Sequence, residues 1–278
     1  MEWIKYHEAE KVFDLRTENS TYQMQVREYD TLVHLYYGCP VGDSLITDRI
    51  VCVDRGFSGN PYEAGKDKTF SLDTLPQEYT AYGNGDYRIN GLEVEQADGS
   101  DTANLKFESY KITKGKYSLK GLPAMFAKED EAETLEIVLA DRVSGLKAHL
   151  LYSVFPHLDV ITRAVRLEQT GETPVTVKKA MSMEMDFEYR EMDAVHFYGR
   201  HNVERQMERT HLGHANWSVG SIRGTSSHHH NPFVILCDRN TEETYGNCYG
   251  YALAYSGNFT FETEVDQVGH TRDRKSVV

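Results

Sequence analysis

Thr21-Tyr22-Gln23-Met24-Gln25-Val26, followed after a short break by Leu32-Val33-His34-Leu35-Tyr36-Tyr37-Gly38, decides the fold class. The first run alternates polar and apolar side chains. The second is β-branched and aromatic until Gly38 stops it. Period two sends successive side chains to opposite faces of a pleated strand. The same texture returns at Thr134 to Leu139, Leu146 to Phe155, Val160 to Leu167, Val175 to Met185, Phe233 to Cys237, Tyr249 to Tyr255 and Phe259 to Val265. Asp98-Gly99, Thr170-Gly171-Glu172 and Ser256-Gly257-Asn258 supply turns between them. The pattern predicts an all-β chain, a large antiparallel β-sandwich (supersandwich) with few short helices. One of those helices is expected at Val203 to Thr210.

Around this frame, 278 residues suffice for one large sandwich, and 40% apolar residues suffice for its core. A net charge of −13 argues against nucleic acid or an anionic membrane as partner, since a local basic patch would have to overcome the field of the whole chain. No apolar run reaches the roughly 20 residues of a membrane helix. Met1-Glu2-Trp3-Ile4-Lys5 lacks the basic-then-apolar profile of a signal peptide, so a cytoplasmic location is expected. Cys39, Cys52, Cys237 and Cys248 stand far apart with no CxxC, which reads as buried, reduced thiols. No linker or internal repeat is visible, and the sandwich reads as one domain.

Asp54 to Asn90 breaks the strand texture. Glycine, proline, charge and aromatics are interleaved there without a period. A long irregular stretch on a rigid scaffold is where binding residues concentrate. Tyr62, Phe70, Tyr79, Tyr82 and Tyr87 lie in sequence among Asp54, Arg55, Glu78, Asp86 and Arg88. Rings to stack on, with carboxylates and guanidinium groups as hydrogen-bond partners, suit a sugar, which has apolar C–H faces and hydroxyls. The same mixture suits a subunit interface. Both remain open from the residues alone. Asp54, Asp73, Glu78 and Asp86 are candidate carboxylates, but sequence does not say which of them meet.

Other signals are weaker. His228-His229-His230 resembles a metal site, yet adjacent residues of a strand face opposite ways, and a polar corner leading through Asn231-Pro232 into a strand is the simpler reading. Gly83-Asn84-Gly85-Asp86 lacks the lysine and the strand-to-helix context of a phosphate loop. No Gly-x-Ser-x-Gly nucleophile elbow occurs.

Asp54-Arg55-Gly56-Phe57-Ser58, Thr69-Phe70-Ser71-Leu72-Asp73-Thr74-Leu75-Pro76-Gln77-Glu78-Tyr79 and Gly83-Asn84-Gly85-Asp86-Tyr87-Arg88 together resemble bacterial α-galactosidases of glycoside hydrolase family 36. The likeness continues in Lys120-Gly121-Leu122-Pro123-Ala124, Glu131-Ala132-Glu133-Thr134-Leu135 and Val160-Ile161-Thr162-Arg163. It returns in Ser226-Ser227-His228, Asn231-Pro232-Phe233, Tyr255-Ser256-Gly257-Asn258-Phe259 and Glu264-Val265-Asp266-Gln267. It runs in order to about Arg272.

The resemblance implies an N-terminal β-sandwich, residues 1–272, that in such enzymes precedes a (β/α)₈ barrel. The barrel carries the nucleophile and acid/base aspartates and needs on the order of 250 residues of its own. It implies hydrolysis of terminal α-D-galactosyl residues, of the melibiose and raffinose type, with retention. It implies no cofactor and no metal, and a homotetramer in which a loop of this region reaches over a neighbour's sugar pocket. Asp54 matches the loop aspartate that accepts hydrogen bonds from galactose. Arg55, Glu78 and Arg88 are weaker candidates for holding that loop or its interface. No residue here is expected to be catalytic. A stand-alone, non-catalytic carbohydrate-binding or assembly module is the alternative. Asp273-Arg274-Lys275-Ser276-Val277-Val278 departs from the likeness. It can be encoded by GAT CGG AAG AGC GTC GTG, which resembles a short-read sequencing adapter, so residues 273–278 read as a non-native tail that cuts the chain short.

Overall fold

The computed structural model describes residues 2–54, 56 and 59–277. The chain forms two compact units, Met1–Ser118 with Phe126–Met183, and Leu119–Met125 with Glu184–Val278. Each is built from antiparallel sheets, and the all-β sandwich class is that expected from the alternation. Helix among the described residues is limited to single turns at Glu28–Asp30, Thr47–Arg49 and Tyr62–Ala64.

In the first unit, β1 (Ile4–His7), β2 (Val12–Arg16), β3 (Thr21–Val26) and β4 (Leu32–Gly38) form a meander in chain order. β5 (Leu92–Glu95) follows the irregular segment. β6 (Lys106–Lys114), β7 (Glu133–Ala140), β8 (Leu146–Phe155) and β9 (Val160–Gln169) form a second meander, and β10 (Thr176–Ala180) pairs with β5. The meanders share a core because alternation turns Phe13, Tyr22 and Met24 of one, and Leu135, Ile137 and Tyr152 of the other, away from water. Rings join them: Phe13 lies 5.1 Å from Tyr110 and Tyr22 lies 6.2 Å from Tyr152. The hairpin between β7 and β8 needs glycine at Gly145, whose φ is +76° and whose missing Cβ leaves room for the backbone of Gly171.

In the second unit, β11 (Met183–Phe187), β12 (Met192–Arg200), β13 (Val203–His211), β14 (Asn216–Ser221), β15 (His230–Asp238), β16 (Cys248–Ala252), β17 (Phe259–Val265) and β18 (Thr271–Val277) make two sheets. Their orders are β13-β12-β15-β16 and β11-β18-β17-β14. Ala194, Val234 and Leu236 of the first, with Phe259 and Phe261 of the second, are buried completely or nearly so. The ring of Tyr251 meets Phe261 at 5.3 Å.

Three sequence expectations are corrected. Val203 to Thr210 is strand, not helix: β13 returns from β12 through a tight turn with Asn202 at φ +63° and pairs along its length. Its Glu, Arg and Gln residues, good helix formers, here stud an exposed edge, where charge discourages further pairing. Val175 to Met185 is two strands rather than one, since β10 joins β5 in the first unit while β11 belongs to the second. Of the four cysteines, all free, only Cys237 is buried. Cys39 follows the end of β4 and Cys248 lies on edge strand β16, so both are exposed.

No helix among the described residues is long and apolar enough to cross a membrane. Residues 273–277 continue β18 and pair with β17, and Asp273, Arg274 and Lys275 are buried there.

Candidate functional site

Residues 51–90 contain no strand among the described residues, yet the segment is anchored rather than loose. Its second half lies along β4. His34 N donates to Pro76 O at 2.9 Å, Glu78 N donates to Leu32 O at 3.3 Å, and Val33 and Gln77 form an antiparallel bridge. Phe70, Leu72 and Leu75 form a small core with Tyr29, Ile50 and Cys52. Gly59 and Gly85 pass so close that a Cβ on either would collide with the backbone of the other, which ties the two halves of the segment together.

Asp54 lies in the exposed first half. Gly56 N donates to its Oδ1 at 2.8 Å, a local turn that fixes the carboxylate while leaving it in solvent, and Gly56 takes the required φ of +72°. Val53, Tyr62, Tyr82 and Tyr87 in the same segment are also exposed. Arg55 lies outside the described residues, as do Phe57 and Ser58.

Glu78 is fully buried. Tyr22 Oη donates to its Oε1 at 2.6 Å and His34 Nδ1 lies 2.8 Å from the same oxygen. Tyr152 Oη and Arg163 Nη2 donate to Oε2 at 2.7 Å and 3.0 Å. Arg163 also donates to both tyrosine hydroxyls and sits 4.7 Å from the Tyr152 ring centroid. Burial alone would raise the Glu78 carboxyl. The Arg163 charge, the bond to His34 and the Tyr22 hydroxyl outweigh it and hold the group below the usual carboxylate range. Burial drives the Tyr22 and Tyr152 hydroxyls well above their ordinary values, so both stay donors.

Arg88 is buried with Asp86. Its Nε donates to Asp86 Oδ1 at 2.9 Å, and Nη2 donates to Leu72 O and Leu75 O, both at 2.8 Å. Gln77 Nε2 donates to Asp86 Oδ2 at 2.7 Å. Asp73 Oδ1 accepts from Tyr87 N at 3.2 Å. Glu78 and Arg88 thus fasten the segment from below, and Asp54 is displayed on it. The network through Tyr22, His34, Tyr152 and Arg163 escaped sequence reading. Its signal was inward-facing polar residues within otherwise apolar strands.

No group of three His, Cys, Asp or Glu among the described residues is placed to hold a metal ion. His228 and His229 stack at 4.7 Å just before β15.

Antiparallel sheets carrying one anchored polar and aromatic segment define an all-β domain. The chain belongs to the family described as the glycosyl hydrolase family 36 N-terminal domain, whose sequence model matches residues 30–273. It is 51% identical over 270 residues to the bifunctional alpha-galactosidase/sucrose kinase AgaSK of Mediterraneibacter gnavus, covering 97% of this chain and 29% of that protein. The solved galactosidase domain of AgaSK superposes with a TM-score of 0.96 at 50% identity, over 99% of this chain and 38% of that one. A structure of the α-galactosidase AgaA of Geobacillus stearothermophilus in complex with raffinose superposes with a TM-score of 0.92 at 40% identity, over 96% of this chain and 37% of that one. The chain therefore spans roughly a third of the relatives it matches.

Proposed function

We propose that these residues form the front of a retaining α-galactosidase that removes terminal α-D-galactosyl groups from raffinose-type oligosaccharides. They shape the rim of the sugar pocket and supply contacts within a cytoplasmic homotetramer. Bond breaking belongs to the barrel aspartates of such enzymes and not to any carboxylate here. The observation that carries this reading is the near-complete match of the chain to one third of each α-galactosidase, together with an exposed Asp54 on an anchored segment. Asp54 accepts hydrogen bonds from galactose hydroxyls, while Glu78 and Arg88 hold the segment and Arg55 flanks the contact.

We also propose that the family domain ends at residue 272 and that 273–278 are foreign to it. The family model's match, which stops at residue 273, supports this boundary to within one residue. Genomic sequence that continues unbroken through these codons would overturn it.

The purified chain, assayed on a chromogenic α-galactoside, tests the main proposal. No turnover is expected, with weak or undetectable binding of galactose or raffinose by calorimetry, since one wall of a pocket covers little of a ligand. Turnover by the chain alone would refute the assignment of catalysis to the barrel. Tight raffinose binding would favour a stand-alone carbohydrate-binding module.

A further inference from the structure

Strands β15 and β16 run in unbroken antiparallel register, from Phe233 opposite Ala252 to Cys237 opposite Cys248. Two backbone bonds fix the phase of this ladder. Asp238 N donates to Asn247 O at 3.2 Å beside the turn, and Leu253 N donates to Pro232 O at 3.0 Å at the far end. Hydrogen-bonded and non-hydrogen-bonded pairs alternate along such a ladder. Residues 232 and 238 both occupy hydrogen-bonded positions, so Cys237 and Cys248 form a non-hydrogen-bonded pair. Residues so paired share a face, with Cα atoms about 4.5 Å apart. A disulfide needs a Cα separation of about 4.4–6.8 Å.

Both thiols are free, one buried and one exposed. Cys237 Sγ donates to Asp193 O at 3.7 Å. Arg209, held by Asp193 at 2.6 Å, lies close enough to feel the charge of either sulfur. The pair closes the base of the 239–247 loop. That loop contributes Asn240, Tyr245 and Asn247 to a cavity of about 470 Å³ shared with Arg190 and Asp238.

We propose that Cys237 and Cys248 are a redox-modification site, a vicinal cross-strand dithiol that closes reversibly to a disulfide and locks the loop. The oxidant is a small-molecule disulfide such as oxidised glutathione. The exposed Cys248 thiolate attacks one sulfur of the oxidant, forming a mixed disulfide and expelling one thiolate. Cys237, after losing its proton to solvent, attacks the Cys248 sulfur and expels the second. Two protein thiols are oxidised and one small disulfide is reduced to two thiols. Burial pushes the Cys237 thiol up, which makes it the second to react. Cys39 and Cys52 belong to the other unit and take no part.

The test incubates the folded chain in a buffer of oxidised and reduced glutathione at about pH 8, quenches with an alkylating agent, and maps peptides without reduction. The expected product is one peptide pair joined through Cys237 and Cys248, restored to free thiols by reductant. The same oxidation in denaturant should scatter among the three possible connectivities. Cys248 persisting as a mixed disulfide beside a free Cys237 would overturn the proposal. So would pairing of either residue with Cys39 or Cys52, or equal selectivity in the denatured chain.

Discussion

Arg163 of β9 and Glu78 of the irregular segment meet at 3.0 Å, with the carboxylate wholly buried and the guanidinium nearly so. The two lie 85 residues apart in sequence, and their ion pair fastens the segment that displays Asp54 to the framework of the first unit. A buried pair is costly to break from one side, because the surviving charge stays desolvated.

Glu78→Gln should therefore destabilise the chain by about 3–5 kcal/mol, near the range seen when one partner of a buried pair is removed. Glu78→Leu combined with Arg163→Met should lose less than the sum of the two single changes, since neither charge then remains. Urea denaturation of the five proteins, the wild type, Glu78→Gln, the two single changes and their combination, checks both statements. A loss below about 1 kcal/mol for Glu78→Gln, the range of exposed pairs, would mean that the network carries little of the stability.

The same residue makes a pH prediction. The Glu78 carboxyl is held below its ordinary value in the folded state. Its contribution to stability is thus complete above the unfolded carboxylate pKa of about 4.3 and is lost as pH falls through the lower, folded value. The melting-temperature gap between the wild-type chain and Glu78→Gln should be constant from neutral pH to about 5 and narrow below about 4. Calorimetry across that range measures it. A gap that widens on acidification would show that the carboxyl is protonated in the fold.

Asp54 predicts the opposite separation of effects. It is exposed, and its bond to Gly56 is local. In a protein that carries this domain with its barrel, Asp54→Ala should leave the melting temperature within about 1 °C, consistent with a surface change of under 0.5 kcal/mol. Loss of a charged hydrogen-bond acceptor, worth about 1.5–3 kcal/mol, should lower kcat/KM on an α-galactoside by roughly tenfold to a hundredfold. Unchanged kinetics with unchanged stability would remove Asp54 from the sugar contact.

Much of the frame is visible in the sequence for a simple reason. Leu146–Phe155 and Phe259–Val265 have the extents expected from the alternation, because their residues are sorted by face against a core. Val203–His211 is not legible this way. An exposed edge strand has no buried face to imprint a period, so its helix-forming side chains mislead. The candidate site divides similarly. Asp54 is marked in the sequence by the family resemblance of the stretch Asp54-Arg55-Gly56-Phe57-Ser58, whereas the role of Glu78 depends on Tyr22, Tyr152 and Arg163, which only the sheet pairing brings together. Cys237 and Cys248 look unrelated until register places them opposite one another.

Lys275 of β18 gives the last prediction. Its Nζ is buried and donates to Pro232 O at 2.8 Å and Tyr251 O at 2.9 Å. Burial alone, with no charged neighbour contributing, lowers its pKa to about 7. The unfolded chain binds this proton up to about pH 10.4, so between there and about 7 it holds more protons than the fold, and stability rises with pH across that window. Below about 7 both states are protonated and the full cost remains, a few kcal/mol at about 1.4 for each tenfold change in proton affinity. Lys275→Met removes the titrating group. The two carbonyls it leaves are already engaged in the β15–β16 ladder, where Pro232 O accepts from Leu253 N. The variant should be more stable by about 1–3 kcal/mol at pH 7, with the advantage shrinking towards pH 10. Denaturant unfolding of both proteins at the two pH values reads this difference directly. A pH-independent gap would place the amine in water, and β18 would then not be the buried strand described above.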